Sequence, residues 1–410
     1  MDYFYIDISK NQHITWDVLI NDLHNTHEYN TYCYNNDFYI VFKQILLSLL
    51  LEKDIVLLDS DFSHDEIIRL IGKTSIGNKQ TLSIDRLLSI TSKKDLVDEI
   101  KNVSGNWSLT LFTSGTTGIP KKIKHSFQSI TRFIKTSNNS FANIWGFAYN
   151  PTHMAGILVF FQALLNENTI VRLFGLTNSD IFKSIDYFQI TNISATPTFY
   201  RLLMPHSNSY SSVKRITLGG EKFDEKIAEQ LKAVFPKSKI TNIYASTEAG
   251  SLFAANNNVF SVKPEMQDYV KILDGELLIH KFLMGNTEFL QDDWYYTGDV
   301  VHIISNDPLQ FTFINRKNEM INVGGYKVNP VEVEEIIRNI NNVKNARVFS
   351  KKNSVLGNLL ICEVIKTSKD LDEKTIRLIL QTKLQEYKIP RIFKFVEEIS
   401  TTRTGKVKRT

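Results

Sequence analysis

The stretch Leu111-Phe-Thr-Ser-Gly-Thr-Thr-Gly-Ile-Pro-Lys121 is the most informative part of this 410-residue chain. Gly115 and Gly118 permit backbone conformations that other residues resist, so several amide N–H groups can converge on one point. Further donors are supplied by the hydroxyl groups of Thr113, Ser114, Thr116 and Thr117. A donor-rich loop without carboxylates fits a polyphosphate, and Lys121 adds a positive charge. The loop differs from the Walker loop, in which the lysine directly follows the second glycine.

Further motifs follow this stretch along the chain. They are Tyr244-Ala-Ser-Thr247-Glu248, Tyr295-Tyr-Thr-Gly-Asp299, the segment from Asn315-Arg316 to Glu334, and Thr404-Gly405-Lys406. Together with the first stretch, and in this order, they resemble the signature of the adenylate-forming ligase superfamily: acyl- and aryl-CoA synthetases, peptide-synthetase adenylation domains and luciferases. Because the resemblance extends over residues 107–410, the chain is identified as a compact, stand-alone member that resembles acyl-CoA synthetases.

The composition is that of a globular protein. Hydrophobic residues make up 42% of the chain, and 48 basic residues nearly balance 44 acidic ones. This balance leaves no charge pattern for nucleic acid. The apolar run Ile45–Leu51 is far shorter than the ~20 residues of a membrane span. Near the N-terminus no basic segment is followed by an apolar one, so we expect no signal peptide. We therefore expect a cytoplasmic protein, with Cys33 and Cys362 as reduced thiols.

Helical and strand patterns alternate between residues 127 and 240, which indicates βαβ units and a largely parallel sheet. Short strands follow from 260 to 315, with Asp274-Gly275 as a hairpin turn. The pattern then becomes α+β. We expect an α/β fold with a large N-terminal domain of mixed and parallel sheets, helices and a small β unit, then a small α+β domain. The resemblance implies a boundary between 1–316, whose N-terminal portion looks trimmed, and a mobile domain at 317–410.

The resemblance implies that ATP and Mg²⁺ are bound by matching residues. The catalytic set is Lys121, Thr247, Glu248 and Lys406, with Glu248 as the Mg²⁺ ligand, which suits a hard cation. The nucleotide would also contact Tyr244 through its adenine ring, and Asp299 and Arg316 through its ribose and phosphates. Its remaining contacts would come from the loop residues Thr113, Ser114, Gly115, Thr116, Thr117 and Gly118, and from Gly219, Gly220 and Glu221.

The acid substrate is expected beside His153, Gly156 and Thr196. Asn150-Pro-Thr-His153-Met-Ala-Gly156 stands where CoA synthetases carry an aromatic or histidine gate, whereas amino-acid adenylation domains place an aspartate in this region. No acidic residue occurs between Phe141 and Asn166, which disfavours an α-amino acid. His153 as an ordinary buried histidine remains an alternative. In a further alternative, Glu221 or Asp224 supplies a carboxylate for a substrate ammonium group from the other wall of the pocket.

The resemblance also implies a second half-reaction. The C-terminal domain would rotate at Asn318, and Gly324 and Gly325 would line a channel for pantetheine. The motifs reach the end of the sequence at Thr410, so we expect the thiol to come from CoA or from a separate acyl carrier protein. The predicted activity is that of an acid–thiol ligase. The alternatives are an adenylation enzyme for an amino acid or with a non-thiol acceptor, and an inactive nucleotide-binding homologue.

The first prediction concerns Lys406, which should stabilise the charge between the substrate carboxylate and the α-phosphate. Lys406→Ala should slow pyrophosphate release about 10²–10³-fold, the effect of removing one preorganised charge-stabilising donor. Thioester formation from supplied acyl-adenylate should remain largely intact, and Lys408→Ala is the matched control in the same basic tail. Equal losses in both half-reactions would contradict this role.

Overall fold

The computed structural model describes residues 2–60, 62–72, 79–81, 87, 89–103, 105–113, 121–136, 143–223, 225–287, 290–323, 326–353 and 357–401. The chain divides into two compact units. The first consists of Met1–Val270 and Ile279–Tyr295, and the second of Lys271–Leu278 and Tyr296–Thr410. The predicted boundary at residue 317 stays a prediction.

The first unit is built around an eight-stranded sheet of order β14-β13-β12-β11-β9-β10-β1-β2. Its six inner strands are parallel, and the edge strands β2 and β14 are antiparallel to their neighbours. The strands of this sheet are β1 (Tyr3–Asp7), β2 (Gln12–Thr15), β9 (Ile144–Phe147), β10 (Thr169–Arg172), β11 (Asn192–Ala195), β12 (Arg215–Gly219), β13 (Lys239–Ser246) and β14 (Gly250–Ala255). This arrangement confirms the predicted βαβ alternation.

A four-stranded sheet of order β4-β5-β7-β8 carries the glycine-rich segment. Its strands are β4 (Tyr32–Tyr34), β5 (Ile55–Leu58), β7 (Ser108–Thr113) and β8 (Lys121–Ser126). Strands β7 and β8 pair antiparallel, with Thr113 opposite Lys121. The short strands β3 (Glu28–Asn30) and β6 (Lys79–Thr81) pair separately, and β15 is Phe260–Ser261.

The helices of the first unit begin at side chains that cap their free N–H groups. Thr15, Asp37 and Ser126 each accept a hydrogen bond from a backbone N–H of the first turn, as N-cap residues do. These helices are α1 (Trp16–His24), α2 (Phe38–Leu50), α3 (His64–Ile71), α4 (Lys93–Lys101), α5 (Phe127–Thr131), α6 (Met154–Leu164), α7 (Asn178–Tyr187), α8 (Pro197–Leu203) and α9 (Glu225–Val234).

Hydrophobic side chains cover both faces of the eight-stranded sheet. Because successive side chains of a strand point to opposite faces, Tyr5 belongs to one core and Ile6 to the other. The first core is centred on α2, where Phe42 stacks on Phe160 with ring centroids 4.6 Å apart. Each such fully buried side chain contributes about 1.5–3 kcal/mol through removal from water.

The second unit contains antiparallel strands followed by a small α+β fold. Most residues of the four antiparallel strands belong to this unit, and the strands lie side by side in the order β16 (Val270–Leu273), β17 (Glu276–His280), β18 (Trp294–Asn306) and β19 (Leu309–Arg316). A hairpin of β20 (Ile321–Val323) and β21 (Tyr326–Val328) follows, then α10 (Pro330–Arg338), β22 (Val343–Asn353), β23 (Gly357–Lys366), α11 (Glu373–Gln381) and β24 (Ile392–Phe395). Strands β22, β23 and β24 form one sheet, whose apolar residues pack against α10 and α11.

The predicted α/β fold class is confirmed. Helix α11 ends at Gln381, where the chain turns and the Leu384 N–H bonds to the Leu380 carbonyl. Helix α6 begins at Met154. Cys33 and Cys362 are both buried and free. Among the described residues, no helix combines the length and apolar character needed to cross a membrane.

The second prediction concerns Gly156 in α6. A Cβ atom at this position would overlap the carbonyl oxygen of Asn150, a backbone atom that cannot move aside easily. Gly156→Ala should lower the free energy of unfolding by about 1–3 kcal/mol, the usual cost of overpacking. Gly105→Ala is the control, since a Cβ there meets nothing within 4 Å. Denaturant titration checks both variants, and equal stabilities would contradict the prediction.

Candidate active site

The predicted phosphate loop lies largely outside the described residues. Its flanking residues are held by the hairpin, because the last residue of β7, Thr113, is paired with the first residue of β8, Lys121. The residues outside the described part of the chain are Ser114, Gly115, Thr116, Thr117, Gly118, Gly324, Gly325 and Lys406, and their roles stay predictions. The structure therefore defines where the loop begins and ends.

Lys121 and Glu248 are brought together by Tyr295, which sequence reasoning missed. The Tyr295 hydroxyl donates to Glu248 Oε1 at 3.1 Å, and Lys121 Nζ lies 5.7 Å from the centre of the Tyr295 ring. A cation at this distance is attracted by the face of an aromatic ring. Tyr295 is the first residue of the motif that ends at Asp299, so its place in that motif could have marked it as a site residue.

Glu248 lies in a tight turn between two strands. Strand β13 ends at Ser246, whose Oγ accepts from the Ala249 N–H at 3.1 Å, and β14 begins at Gly250 with φ +68°. Among the described residues, no cluster of three metal-binding side chains occurs. A single carboxylate nevertheless fits Mg²⁺, which is commonly held by one or two carboxylates together with phosphates and water.

Tyr244 lies on β13, in register with Phe253 of β14. The two rings are stacked, with centroids 5.7 Å apart and planes inclined by 26°. The Tyr244 ring is half-buried, so this packing orients it while part of it stays accessible. Its role as the adenine-contacting ring stays a prediction.

His125 connects β8 to the turn that carries Glu248. Its Nε2 donates to the Thr247 carbonyl at 2.7 Å, and the residue is 1% exposed. Burial lowers the pKa of His125 to about 4, because the charged ring would lose its hydration; the bond to Thr247 opposes this shift. The ring also fits against Gly285, where a Cβ would lie 2.5 Å from it. The Gly285 N–H in turn donates to the Glu248 carbonyl at 2.7 Å.

Asp299 and Arg316 form a pair in the second unit. They lie opposite each other on β18 and β19, and Arg316 Nε donates to Asp299 Oδ1 at 2.7 Å. The Asp299 side chain is 7% exposed, whereas that of Arg316 is 47% exposed. The structure thus brings together the two residues that were predicted at the ribose, which lie 17 positions apart in sequence.

Glu221 follows Gly219 and Gly220 at the carboxyl end of β12, and Gly220 has φ +82°. Both Glu221 oxygens accept from Thr198, whose backbone N–H and hydroxyl bond to Oε2 at 2.9 and 2.7 Å. Arg201 adds an ion pair to Oε2 at 3.2 Å. These bonds attach the Glu221 side chain to α8. Its contact with the nucleotide stays a prediction.

His153 is paired with an acidic side chain from another part of the chain. Its Nε2 lies 2.7 Å from Oδ2 of Asp59, a buried residue that follows β5. Although residues 141–166 contain no acid, the fold thus supplies a carboxylate beside His153. Of the other two predicted substrate residues, Thr196 accepts from the Phe199 N–H as the N-cap of α8, and Gly156 is buried in α6.

The third prediction uses the titration of His125. The unfolded chain binds a proton near pH 6.5 and the folded chain only near pH 4, so stability falls as the pH drops between these values. At pH 5 the loss from this residue should be about 2 kcal/mol relative to pH 7.5. His125→Gln keeps an N–H donor but does not titrate. Between pH 7.5 and pH 5 the unfolding free energy of this variant should therefore fall by about 2 kcal/mol less than that of the wild type. Parallel pH dependences would contradict the assignment.

Two family models match the chain. The AMP-binding enzyme model covers residues 55–276, and the model of the AMP-binding enzyme C-terminal domain covers residues 332–406. The first model spans the chain from β5 to the start of β17, and the second spans most of the α+β portion of the second unit.

Similar proteins include two curated ligases and one solved structure. A 2-succinylbenzoate–CoA ligase of Listeria monocytogenes is 26% identical over 73% of this chain and 68% of its own length. A D-alanine–D-alanyl carrier protein ligase of Lactococcus lactis is 24% identical over 78% of this chain and 72% of its own length. The o-succinylbenzoate CoA synthetase of Bacillus subtilis has a TM-score of 0.69 and 19% identity, covering 99% of this chain and 94% of that one.

The matches confirm the resemblance that the five motifs indicated. The family model alone extends over more than half of the chain and includes β8, α8 and the turn at Glu248. The chain belongs to the AMP-binding enzyme family, as an AMP-forming ligase.

Proposed function

We propose that this chain activates a carboxylic acid without an α-amino group as acyl-adenylate and then transfers the acyl group to the thiol of CoA or of a carrier protein. The observation that carries the proposal is the convergence of Lys121, Tyr295 and Glu248 beside the hairpin of the phosphate loop. A positive charge and a carboxylate at the end of a donor-rich loop match the needs of a metal-bound polyphosphate.

In the first half-reaction a carboxylate oxygen attacks the α-phosphorus of ATP. The bond from this phosphorus to the bridging oxygen of the β-phosphate breaks, and pyrophosphate leaves. The loop and Lys121 would hold the β- and γ-phosphates, and Glu248 would hold Mg²⁺, which neutralises phosphate charge when bound. Lys406 would lie between the reacting anions. Because catalysis here is positioning and charge stabilisation, the fixed turn around Glu248 is suited to the task.

In the second half-reaction the thiol sulfur attacks the acyl carbon. The bond between this carbon and the phosphate oxygen breaks, AMP leaves, and the thiol proton passes to solvent. We propose that the chain divides functionally at 316/317 and that Asn318 is the hinge, with Gly324 and Gly325 lining the thiol channel. Asn318 follows Arg316 by two residues, at the end of the antiparallel strands of the second unit.

We base the proposed class of acid substrate on the partners of two carboxylate side chains, Glu221 and Asp59. Glu221 is neutralised by Arg201 and bonded to Thr198, and Asp59 is paired with His153. A buried ammonium group without an open counter-charge is costly, so an α-amino acid is disfavoured at these positions. The relative that ligates D-alanine supports the alternative, in which Asp59 would exchange His153 for a substrate ammonium group.

The fourth prediction tests the reaction and its acid class together. Pyrophosphate release is measured over matched pairs of acids with and without an α-amino group, each with and without CoA. Acids without the amino group should be preferred at least tenfold, which corresponds to about 1.4 kcal/mol, because burying an unpaired charge is costly. Glu248→Gln should reduce the release for every acid.

Two outcomes would contradict parts of the proposal. A best substrate that is an amino acid would favour the alternative, and Asp59→Asn should then abolish its preference. Release that does not require Glu248 would contradict the assignment of the metal-binding side chain. Formation of thioester only with a phosphopantetheinylated carrier protein would identify the acceptor as a carrier protein.

A further inference from the structure

Glu276 is a buried acid to which the proposed reaction assigns no task. It begins β17, and its side chain is only 6% exposed. A buried carboxylate is costly unless it is both paired and hydrogen-bonded. Its partners therefore show which parts of the fold depend on it.

Both carboxylate oxygens of Glu276 are engaged. Oε1 accepts from the Gly298 N–H at 2.7 Å, and Oε2 accepts from Lys317 Nζ at 2.6 Å. Hydrogen bonds to an ionised group are short and stronger than neutral ones. One side chain on β17 thus holds a backbone atom of β18 and the lysine that follows β19.

The two partners are the sequence neighbours of the ribose pair. Gly298 precedes Asp299, and Lys317 follows Arg316, while Asp299 and Arg316 bond to each other at 2.7 Å. Gly298 has φ +74°, a conformation that favours glycine and turns its N–H away from the regular strand pattern. Thr297 Oγ1 adds a bond to the Leu277 carbonyl at 2.7 Å, next to Glu276. The backbone on both sides of the pair is consequently anchored to β17.

We propose that Glu276 is a positioning residue for ribose recognition. This inference rests on the proposed function, because it takes Asp299 and Arg316 as the residues that contact the ribose of ATP. Glu276 acts through them: its charge holds Gly298 and Lys317, and these hold the Asp299 carboxylate and the Arg316 guanidinium at the spacing that two ribose hydroxyls require. Loss of the Glu276 charge should weaken recognition of the hydroxyls and leave other nucleotide contacts in place.

The experiment compares the binding of MgATP and of Mg-2′,3′-dideoxy-ATP by isothermal titration calorimetry. Wild-type protein should prefer ATP. Glu276→Gln should lower this preference about tenfold, through weaker binding of ATP and with little change for the dideoxy nucleotide. Lys317→Met, which removes a partner that is 49% exposed, should lower it less. Binding needs no knowledge of the acid, so a failure of ligase turnover is distinguishable from a failure of this inference.

Glu334→Gln is the matched control for a buried acid of the same unit. Glu334 is 1% exposed, accepts from the Val348 N–H at 2.8 Å and lies 3.6 Å from Arg338. The Glu334→Gln variant should be less stable than the wild type but should keep the preference for ATP. An unchanged ATP preference in Glu276→Gln, or an equal loss in Glu334→Gln, would overturn the proposal. If Glu276→Gln does not fold, an unchanged preference in Lys317→Met would overturn it instead.

Discussion

The hydrogen bond from the buried His125 ring to the carbonyl of Thr247 connects the two parts of the candidate site in the first unit. It ties β8, which begins with Lys121 at the end of the phosphate loop, to the turn that carries Glu248. The ring fills the space beside Gly285, whose N–H bonds to the Glu248 carbonyl. These contacts are made to backbone atoms of the turn, and the Tyr295 hydroxyl donates separately to the Glu248 carboxylate.

The second unit uses the same principle with a carboxylate. Glu276 bonds to Gly298 and Lys317, and the sequence neighbours of these two residues, Asp299 and Arg316, bond to each other. In both units a buried side chain from a neighbouring strand fixes the backbone next to a candidate nucleotide contact. Fully partnered polar networks of this kind are rigid. Groups that are already oriented need no reorganisation when charge develops on phosphate, which is the basis of electrostatic catalysis.

Two other carboxylates are compensated inside the chain. Glu221 is bonded to Thr198 and Arg201, and Asp59 is paired with His153. A site that must hold both a polyphosphate and a carboxylate substrate is disfavoured by uncompensated negative charge nearby. Arg201 compensates the charge of Glu221, and the His153 ring lies against one oxygen of Asp59, so neither carboxylate is an open partner for a substrate ammonium group. The pairing of these two carboxylates is therefore consistent both with the binding of anions and with the proposed preference for acids without an amino group.

The sequence by itself determined the family, the α/β class and most elements, because the motifs are contiguous and helical or strand periodicity is local. It also indicated Glu248, Asp299 and Arg316, each of which lies within such a motif. Only the tertiary structure decided the partners: Tyr295 on Glu248, His125 on Thr247, Asp59 on His153 and Glu276 on Lys317. These pairs join residues far apart in sequence, and the burial and strand register that bring them together arise only when the sheets form.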